Sequence, residues 1–253
     1  MNRVNPHADL HGVLADTADA IRSALDDLDD WGLANTRVGQ YHSDLAADAS
    51  AVEVLTRNGL GVLSEESGRH HPERDVTVVV DPLDGSTNAS RGIPWYATSL
   101  CAVDAEGPLA ALVVNLVDGT TFRAERGAGA TADDRAITPT TKSALNESLV
   151  AISGYPHSYL GWYQFRALGA AALDLCAVAA GVIDAYIDCS WNAHGPWDYL
   201  GGVLVCREAG AVVVDALDRD LVTLEYTERR TPVAAATASL LTEAVAARRT
   251  LER

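Results

Sequence analysis

Residues 76–88 read Val-Thr-Val-Val-Val-Asp-Pro-Leu-Asp-Gly-Ser-Thr-Asn, and this stretch decides the fold. The β-branched run 76–80 is short and almost wholly apolar, which is how a strand buried on both faces reads. Asp81 and Asp84 then fall within one turn, which Pro82 stiffens and Gly85 lets bend through backbone angles other residues avoid. Ser86 and Thr87 add hydroxyls and N–H groups at an expected helix start, a setting that suits a phosphate. Two carboxylates alone would repel that phosphate. A hard cation such as Mg²⁺ between them resolves the conflict, because it takes oxygen ligands from carboxylate and phosphate together.

Two other readings compete. One is a solvated Asp-Pro/Asp-Gly turn. The other is an aspartyl-nucleophile phosphatase loop, which spaces its acids Asp-x-Asp and not Asp-x-x-Asp as here. The chain's 253 residues are enough for a full core, and its net charge of −16, with Lys142 the single lysine, argues against a nucleic-acid or membrane-surface partner. A phosphate ligand must then be received by metal or by a local arginine. Cys101, Cys176, Cys189 and Cys206 have no zinc spacing and lie in apolar segments, so buried free thiols in a reducing compartment are expected. The opening MNRVNPHADLHG lacks an apolar h-region, and the expected location is the cytoplasm.

Outward from the central stretch, apolar periodicity predicts a helix from about Ala8 to Leu28 and a second from Ser43 or Asp44 to Arg57, with Leu45, Val52 and Leu55 inward. Arg37 and Asp48 frame that second helix's beginning. Leu60–Leu63 is a short strand delivering Ser-Glu-Glu-Ser at 64–67. His70 and His71 read as a solvated loop. Strands follow at 98–103, 109–116, 120–125 and 149–153, with the Gly-Ala-rich stretch 127–135 between them read as loop. An alanine-rich helix then a strand are expected over 167–188. Pro196 is placed to open a helix whose first turn carries Asp198. Strands at 212–214 and 233–236 and a helix over 240–251 end the chain, in a mixed α/β order. His194, four residues before Asp198, reads either as an exposed loop residue, the favoured reading, or as one that reaches the pocket mouth, and Trp191 and Trp197 as pocket walls or packing, with packing favoured for Trp197.

Asp48, Glu65, Asp81, Asp84 and Asp198 each fall at an element end. Unit charges about 4 Å apart repel by roughly 4 kcal/mol at an effective dielectric of 20, so convergence of these acids calls for cations. Two Mg²⁺ ions would clamp a phosphate and acidify a water for in-line attack.

The motifs Ser64–Ser67, Asp81–Asn88 and Pro196–Gly202 together resemble the three signatures of the inositol monophosphatase family of Mg²⁺-dependent phosphatases, in the same order and over nearly the whole length. The resemblance implies an α/β (α+β) fold, a layered αβαβα sandwich of the inositol monophosphatase and fructose-1,6-bisphosphatase type. It implies one domain over 1–253, with a metal and phosphate half at 1–150 and a substrate half at 151–253. Glu65, Asp81, the Leu83 carbonyl, Asp84 and Asp198 resemble the ligands of two or three Mg²⁺ ions, with Glu66 beside them. Ser86 stands where the family has a threonine that orients the attacking water, and Asp48 resembles its acidic partner. Gly85, Ser86 and Arg37 would hold the phosphate. Asp188, Arg166 and Asp198 would meet the substrate, Asp188 by bonding its hydroxyls.

Departures from the family pattern fall at His42 and Leu45, in the short segment 153–166 and in extra residues between Asp188 and Asp198. The implied activity is hydrolysis of a small phosphorylated polyol by a metal-activated water, with inositol monophosphate first. Histidinol phosphate would suit the acids Asp188 and Asp184. Fructose 1,6-bisphosphate or 3′-phosphoadenosine 5′-phosphate would need Arg166 and Arg91. A non-catalytic phosphate-ligand-binding protein on the same fold is the rival of another class. The family also implies a homodimer with a small-molecule phosphate ester as ligand.

Overall fold

The computed structural model describes residues 10–252 except 35 and 38. Helix α1 (Leu10–Asp26) begins where description does, so the expected start at Ala8 lies outside the described residues. Its Leu10, Leu14, Thr17, Ala18, Ile21 and Leu25 are buried at helical spacing. Helix α2 (His42–Arg57) packs beside it and stops at Asn58-Gly59, where Gly59 takes a positive φ. Its buried face is Ser43, Asp44, Ala47, Asp48, Ala51, Val54 and Leu55. Leu45, expected inward, is instead exposed, because the helix turns its small and acidic residues toward the sheet.

Strands β1 (Gly61–Ser64), β2 (Gly68–His70), β3 (Thr77–Asp84), β4 (Ala97–Asp104), β5 (Gly107–Asn115), β6 (Thr121–Glu125), β7 (Gly129–Ala132) and β8 (Arg135–Ala136) form one sheet in the order β2-β1-β3-β4-β5-β6-β7-β8. Only the β1–β3 pair is parallel. Helix α3 (Ser86–Arg91) lies between β3 and β4. The stretch 127–135, expected as loop, holds β7 and the start of β8. Glycine and alanine hid it, and the turn is made by Asp133 and Asp134, both at positive φ, a pairing typical of a tight hairpin.

The second sheet runs β10-β9-β11-β13-β12, from β9 (Leu149–Ser153), β10 (Gln164–Arg166), β11 (Ala185–Asp188), β12 (Val212–Asp215) and β13 (Pro232–Ala235). Helices α4 (Ala171–Ala179) and α5 (Pro196–Ala209) lie between the sheets, and α6 (Ala238–Arg249) covers the far face of the second. Alternation in β3 shows the layering. Val78 and Val80 enter the core under α1 and α2, whereas Val79 enters the core with α4 and α5. The order is therefore αβαβα, the sandwich that the motifs imply. Each fully buried leucine, such as Leu55 or Leu63, contributes about 2 kcal/mol to it.

Two glycines let α5 sit close. A Cβ on Gly201 would stand 2.8 Å from Ser99 Oγ, and one on Gly202 2.6 Å from Leu175 Cβ. That approach brings the N-terminus of α5, with Asp198, over the end of β3.

Candidate active site

Three chain ends deliver acids to one place. β1 ends at Ser64 and hands on Glu65 and Glu66, β3 ends in Asp81 and Asp84, and α5 opens with Asp198. Carboxylate oxygens of Glu65, Asp81 and Asp198 lie within 4.8 Å of one another. Leu83 occupies the register shift between Asp81 and Asp84 and donates its N–H to Asp81 Oδ1 at 3.0 Å. Asp84 Oδ2 accepts the Ala172 N–H at 2.7 Å, from the first turn of α4. Asp198 Oδ2 accepts the Gly195 N–H at 2.6 Å, capping the first turn of α5 with its own carboxylate. Asp81 is thus fixed by its own strand, Asp198 by the opening of its own helix and Asp84 by α4, and no carboxylate of Glu65, Asp81, Asp84 or Asp198 has an arginine or lysine partner among the described residues.

The electrostatic cost is visible. Burial, then the charges of Glu65 and Asp84, hold the Asp81 carboxyl well above the usual range. Burial and then Asp198 do the same to Asp84 and to Glu65. Carboxylates that repel one another, with Asp81 and Asp84 buried and Glu65 half-buried, suit a divalent cation, which takes oxygen ligands and cancels the repulsion. The donor set therefore fits Mg²⁺.

Gly85 ends the turn at φ +87°, and a Cβ there would meet Trp95 O at 3.1 Å and Gly169 O at 3.2 Å. Ser86 follows as the first residue of α3, half-buried. Asn88 locks the turn from below, donating to Trp95 O at 2.7 Å and to Leu168 O at 2.8 Å.

Other expected residues are placed differently. Asp48 is buried, but it accepts a hydrogen bond from Ser64 Oγ beneath the 64–67 turn. The acid of α2 that acts on Glu65 is Asp44, one helical turn earlier. Its Oδ2 accepts the Tyr41 N–H at 2.8 Å. Its Oδ1 is buried without a hydrogen-bond partner among the described residues, and burial pushes the carboxyl up to about 6. Arg37 does not stand free for a phosphate. Its Nη2 holds Glu66 Oε2 at 2.7 Å, where Gln40 Nε2 also donates. Asp188 has no exposed surface: Oδ1 accepts the Ser190 N–H at 2.8 Å, and Oδ2 is buried without a hydrogen-bond partner among the described residues. Asp184 lies just before β11, at the opposite end from Asp188, tied to Thr140 Oγ1 and the Leu149 N–H. Arg166 is exposed on edge strand β10, bonded to Phe165 O and Gln164 Oε1, and Arg91 is exposed on α3.

His194 is drawn inward, against the exposed-loop reading and in line with the alternative that it reaches the pocket. Its Nδ1 lies 3.5 Å from Asp198 Oδ2, and its Nε2 lies 3.1 Å from Ser153 Oγ, 3.2 Å from the Tyr186 hydroxyl and 3.6 Å from Asp188 Oδ1. Burial alone would lower its pKa, but Asp188 and Asp198 outweigh it and hold the imidazole well above its ordinary value. Trp197 packs as expected, whereas Trp191 is exposed.

Sequence reasoning also missed Tyr226, which comes from the loop between β12 and β13. Its hydroxyl donates to the Glu65 carbonyl at 2.9 Å, and its ring lies 5.1 Å from that of Trp197, the neighbour of Asp198. It therefore spans two of the acid-bearing elements. Tyr226→Phe is expected to leave the fold intact and to weaken divalent-cation binding about tenfold, the scale of an outer-shell loss. Calorimetric titration with Mg²⁺ checks this, and unchanged affinity would reduce Tyr226 to packing.

The inositol monophosphatase family's profile matches residues 42–252. The fructose-1,6-bisphosphatase/inositol-1-monophosphatase of Thermococcus kodakarensis is 35% identical over 204 residues, 78% of each chain. The Nus factor SuhB of Salmonella typhimurium is 34% identical over 191 residues, 68% of this chain and 70% of that one. Among solved structures, a hypothetical protein from Pyrococcus horikoshii, described as having similarities to inositol-1 monophosphatase, superposes with a TM-score of 0.81 at 27% identity. That match covers 94% of this chain and 96% of the other.

Proposed function

The chain belongs to the inositol monophosphatase family, and from that premise we propose that it is a Mg²⁺-dependent phosphomonoesterase acting on a small phosphate ester, with inositol monophosphate the reference substrate. The convergence of Glu65, Asp81 and Asp198 oxygens within 4.8 Å, with Asp84 near enough for its charge to raise Asp81 and be raised by Asp198, carries this reading. These acids, with the Leu83 carbonyl, would hold two or three Mg²⁺ ions. Bound there, Mg²⁺ would supply Lewis-acid polarisation of the phosphate and a water acidic enough to attack at neutral pH.

The chain's own groups supply the rest. Gly85 and Ser86 would hold phosphate oxygens by their N–H groups, and the Ser86 hydroxyl would orient the water. Asp44, with an oxygen left unpartnered and a carboxyl at about 6, is ionised at neutral pH and able to accept that water's proton. Asp48 would brace the 64–67 turn through Ser64, whose Oγ accepts the Glu66 N–H, and Arg37 would keep Glu66 in place beside the cluster. A cytoplasmic homodimer with neither nucleic-acid nor membrane partners is proposed from the family likeness and the charge of −16. Among the described residues no helix is long and apolar enough to cross a membrane.

Phosphate release from inositol monophosphate, histidinol phosphate, fructose 1,6-bisphosphate and 3′-phosphoadenosine 5′-phosphate, with Mg²⁺ or with EDTA, tests the reading. Release in Mg²⁺ alone is expected. Release that persists in EDTA refutes the metal chemistry, and Mg²⁺ binding without turnover of any ester favours the non-catalytic binding protein.

A further inference from the structure

His194 takes no part in the proposed hydrolysis, yet its side chain is only 13% exposed and meets four polar side chains. Nδ1 faces Asp198 Oδ2 at 3.5 Å, long for a hydrogen bond but inside the reach of a polar pair. Nε2 faces Ser153 Oγ, the Tyr186 hydroxyl and Asp188 Oδ1 at 3.1, 3.2 and 3.6 Å. Those three belong to β9 and β11 of the second sheet, whereas Asp198 opens α5 and joins the acid cluster. The imidazole is therefore a side-chain link between the second sheet and the cluster.

The link is built from the stretch between Asp188 and Asp198, where extra residues depart from the family pattern. That loop is pinned along its length. The Cys189 N–H donates to the Ser153 carbonyl at 2.7 Å, the Ser190 N–H to Asp188 Oδ1 at 2.8 Å, and Arg219 Nη1 to Asn192 Oδ1 at 2.8 Å. The Arg230 N–H donates to the His194 carbonyl at 2.9 Å, which fixes the backbone that carries the imidazole. Gly195 then passes so close to Trp197 that a Cβ would lie 2.4 Å from its ring, so α5 can open directly beside His194.

Asp198 Oδ2 already accepts the Gly195 N–H at 2.6 Å, and Nδ1 approaches the same oxygen. Held on two sides, the carboxylate presents one orientation to the cluster. An imidazole with its proton on Nδ1 does this while Ser153 or Tyr186 donates to Nε2, and a doubly protonated one does it while Nε2 donates, so the arrangement needs no change of charge.

We propose that His194 is a positioning residue for the cation site, acting through Nδ1 on Asp198 and anchored through Nε2 to the second sheet. The proposal rests on the reading of Glu65, Asp81, Asp84 and Asp198 as Mg²⁺ ligands.

Calorimetric titration with Mg²⁺, and the melting temperature in EDTA, test it on three variants. His194→Leu loses both nitrogens, His194→Asn can place an amide N–H where Nδ1 stands, and His194→Gln can place one only near Nε2. The Kd for Mg²⁺ is expected to rise about 10–100-fold in His194→Leu and His194→Gln and to stay within about threefold of the parent in His194→Asn, the scale of losing or keeping an outer partner of a ligand. A histidine that only packs would lower the melting temperature in all three and leave the Kd unchanged, and that outcome overturns the proposal. So does a Kd in His194→Asn no better than in His194→Gln, which would mean that Nδ1 does not act; this comparison decides where His194→Leu fails to fold. The expected order of Kd values in a protein that releases no phosphate supports the positioning role and refutes the phosphomonoesterase reading. A parent protein that binds no Mg²⁺ refutes both.

Discussion

Asp84→Asn is expected to lower Mg²⁺-dependent phosphate release by about a thousandfold, some 4 kcal/mol of transition-state stabilisation, while raising the melting temperature of the metal-free protein. Both effects follow from where the carboxylate sits. Asp84 is buried, and after burial its largest destabilising neighbour is Asp198. Removing the charge removes that repulsion. The amide oxygen of asparagine can still accept the Ala172 N–H that Asp84 accepts at 2.7 Å, so the junction of β3 with α4 is preserved. A gain of about 1 kcal/mol shifts the melting temperature of a chain this size by ~2–4 °C. The same change takes an anionic ligand from the site where Mg²⁺ would bind, and the neutral amide does not replace it. Calorimetry in EDTA and a phosphate assay in Mg²⁺ read the two effects separately. A variant less stable in EDTA would mean the acids are not strained, and one still active would mean the chemistry lies elsewhere.

What could be read from the chain was local, and what could not was set by contacts distant in sequence. The strand β3, its acid turn and the Pro196 opening of α5 are written in adjacent residues, so three of the acid-bearing ends were legible there, whereas the αβαβα order came only with the family resemblance that those motifs carry. The choice between Asp44 and Asp48 was not. They lie one turn apart on the same buried face, and Leu45 suggested a different helix rotation. Only the fit of α2 against the sheet turns Asp48 toward Ser64 and leaves an Asp44 oxygen unpartnered. Arg37 had the right charge for a phosphate, but Glu66, 29 residues on, takes it. His194 read as solvent-facing because nothing nearby in sequence announces Ser153, 41 residues before it. Tyr226 is the extreme case, reaching Glu65 across 161 residues. A loop tyrosine carries no local signal of that kind. Asp188 was legible as an acid at a strand end, but its burial depends on Ser190 and the packing of α6, whose Arg248 bonds the Asp188 carbonyl.

The metal-free protein is expected to lose stability as pH rises from about 5 to about 8, and Mg²⁺ is expected to flatten that dependence. The carboxyls of Glu65, Asp81 and Asp84 are held well above their ordinary values by burial and mutual charge, Asp44 at about 6 and Asp174 at about 7 by burial. In the unfolded chain these groups ionise near pH 4. Between that pH and their folded values the native state binds more protons than the unfolded one, so stability falls as pH rises, by at most about 1.4 kcal/mol per unit for each proton held. His194 adds to the decline. Its folded pKa is raised by Asp188 and Asp198 against burial, so its contribution is complete below its unfolded value and lost as pH climbs through the folded one. Asp215 and Asp104 act in the other direction, Asp215 lowered against its burial by Arg219 and the Thr231 and Leu217 N–H groups and Asp104 lowered by Arg126, and they withdraw stability only in acid. Mg²⁺ must displace the cluster's protons to bind, so its stabilisation, about 2.7 kcal/mol at a hundredfold excess over Kd, should be larger at the alkaline end. Denaturant titrations in EDTA and in Mg²⁺ at several pH values measure both slopes. A metal-free stability that stays level or climbs with pH would mean these carboxyls hold no extra protons in the fold, and the strain that makes them a cation site would be absent.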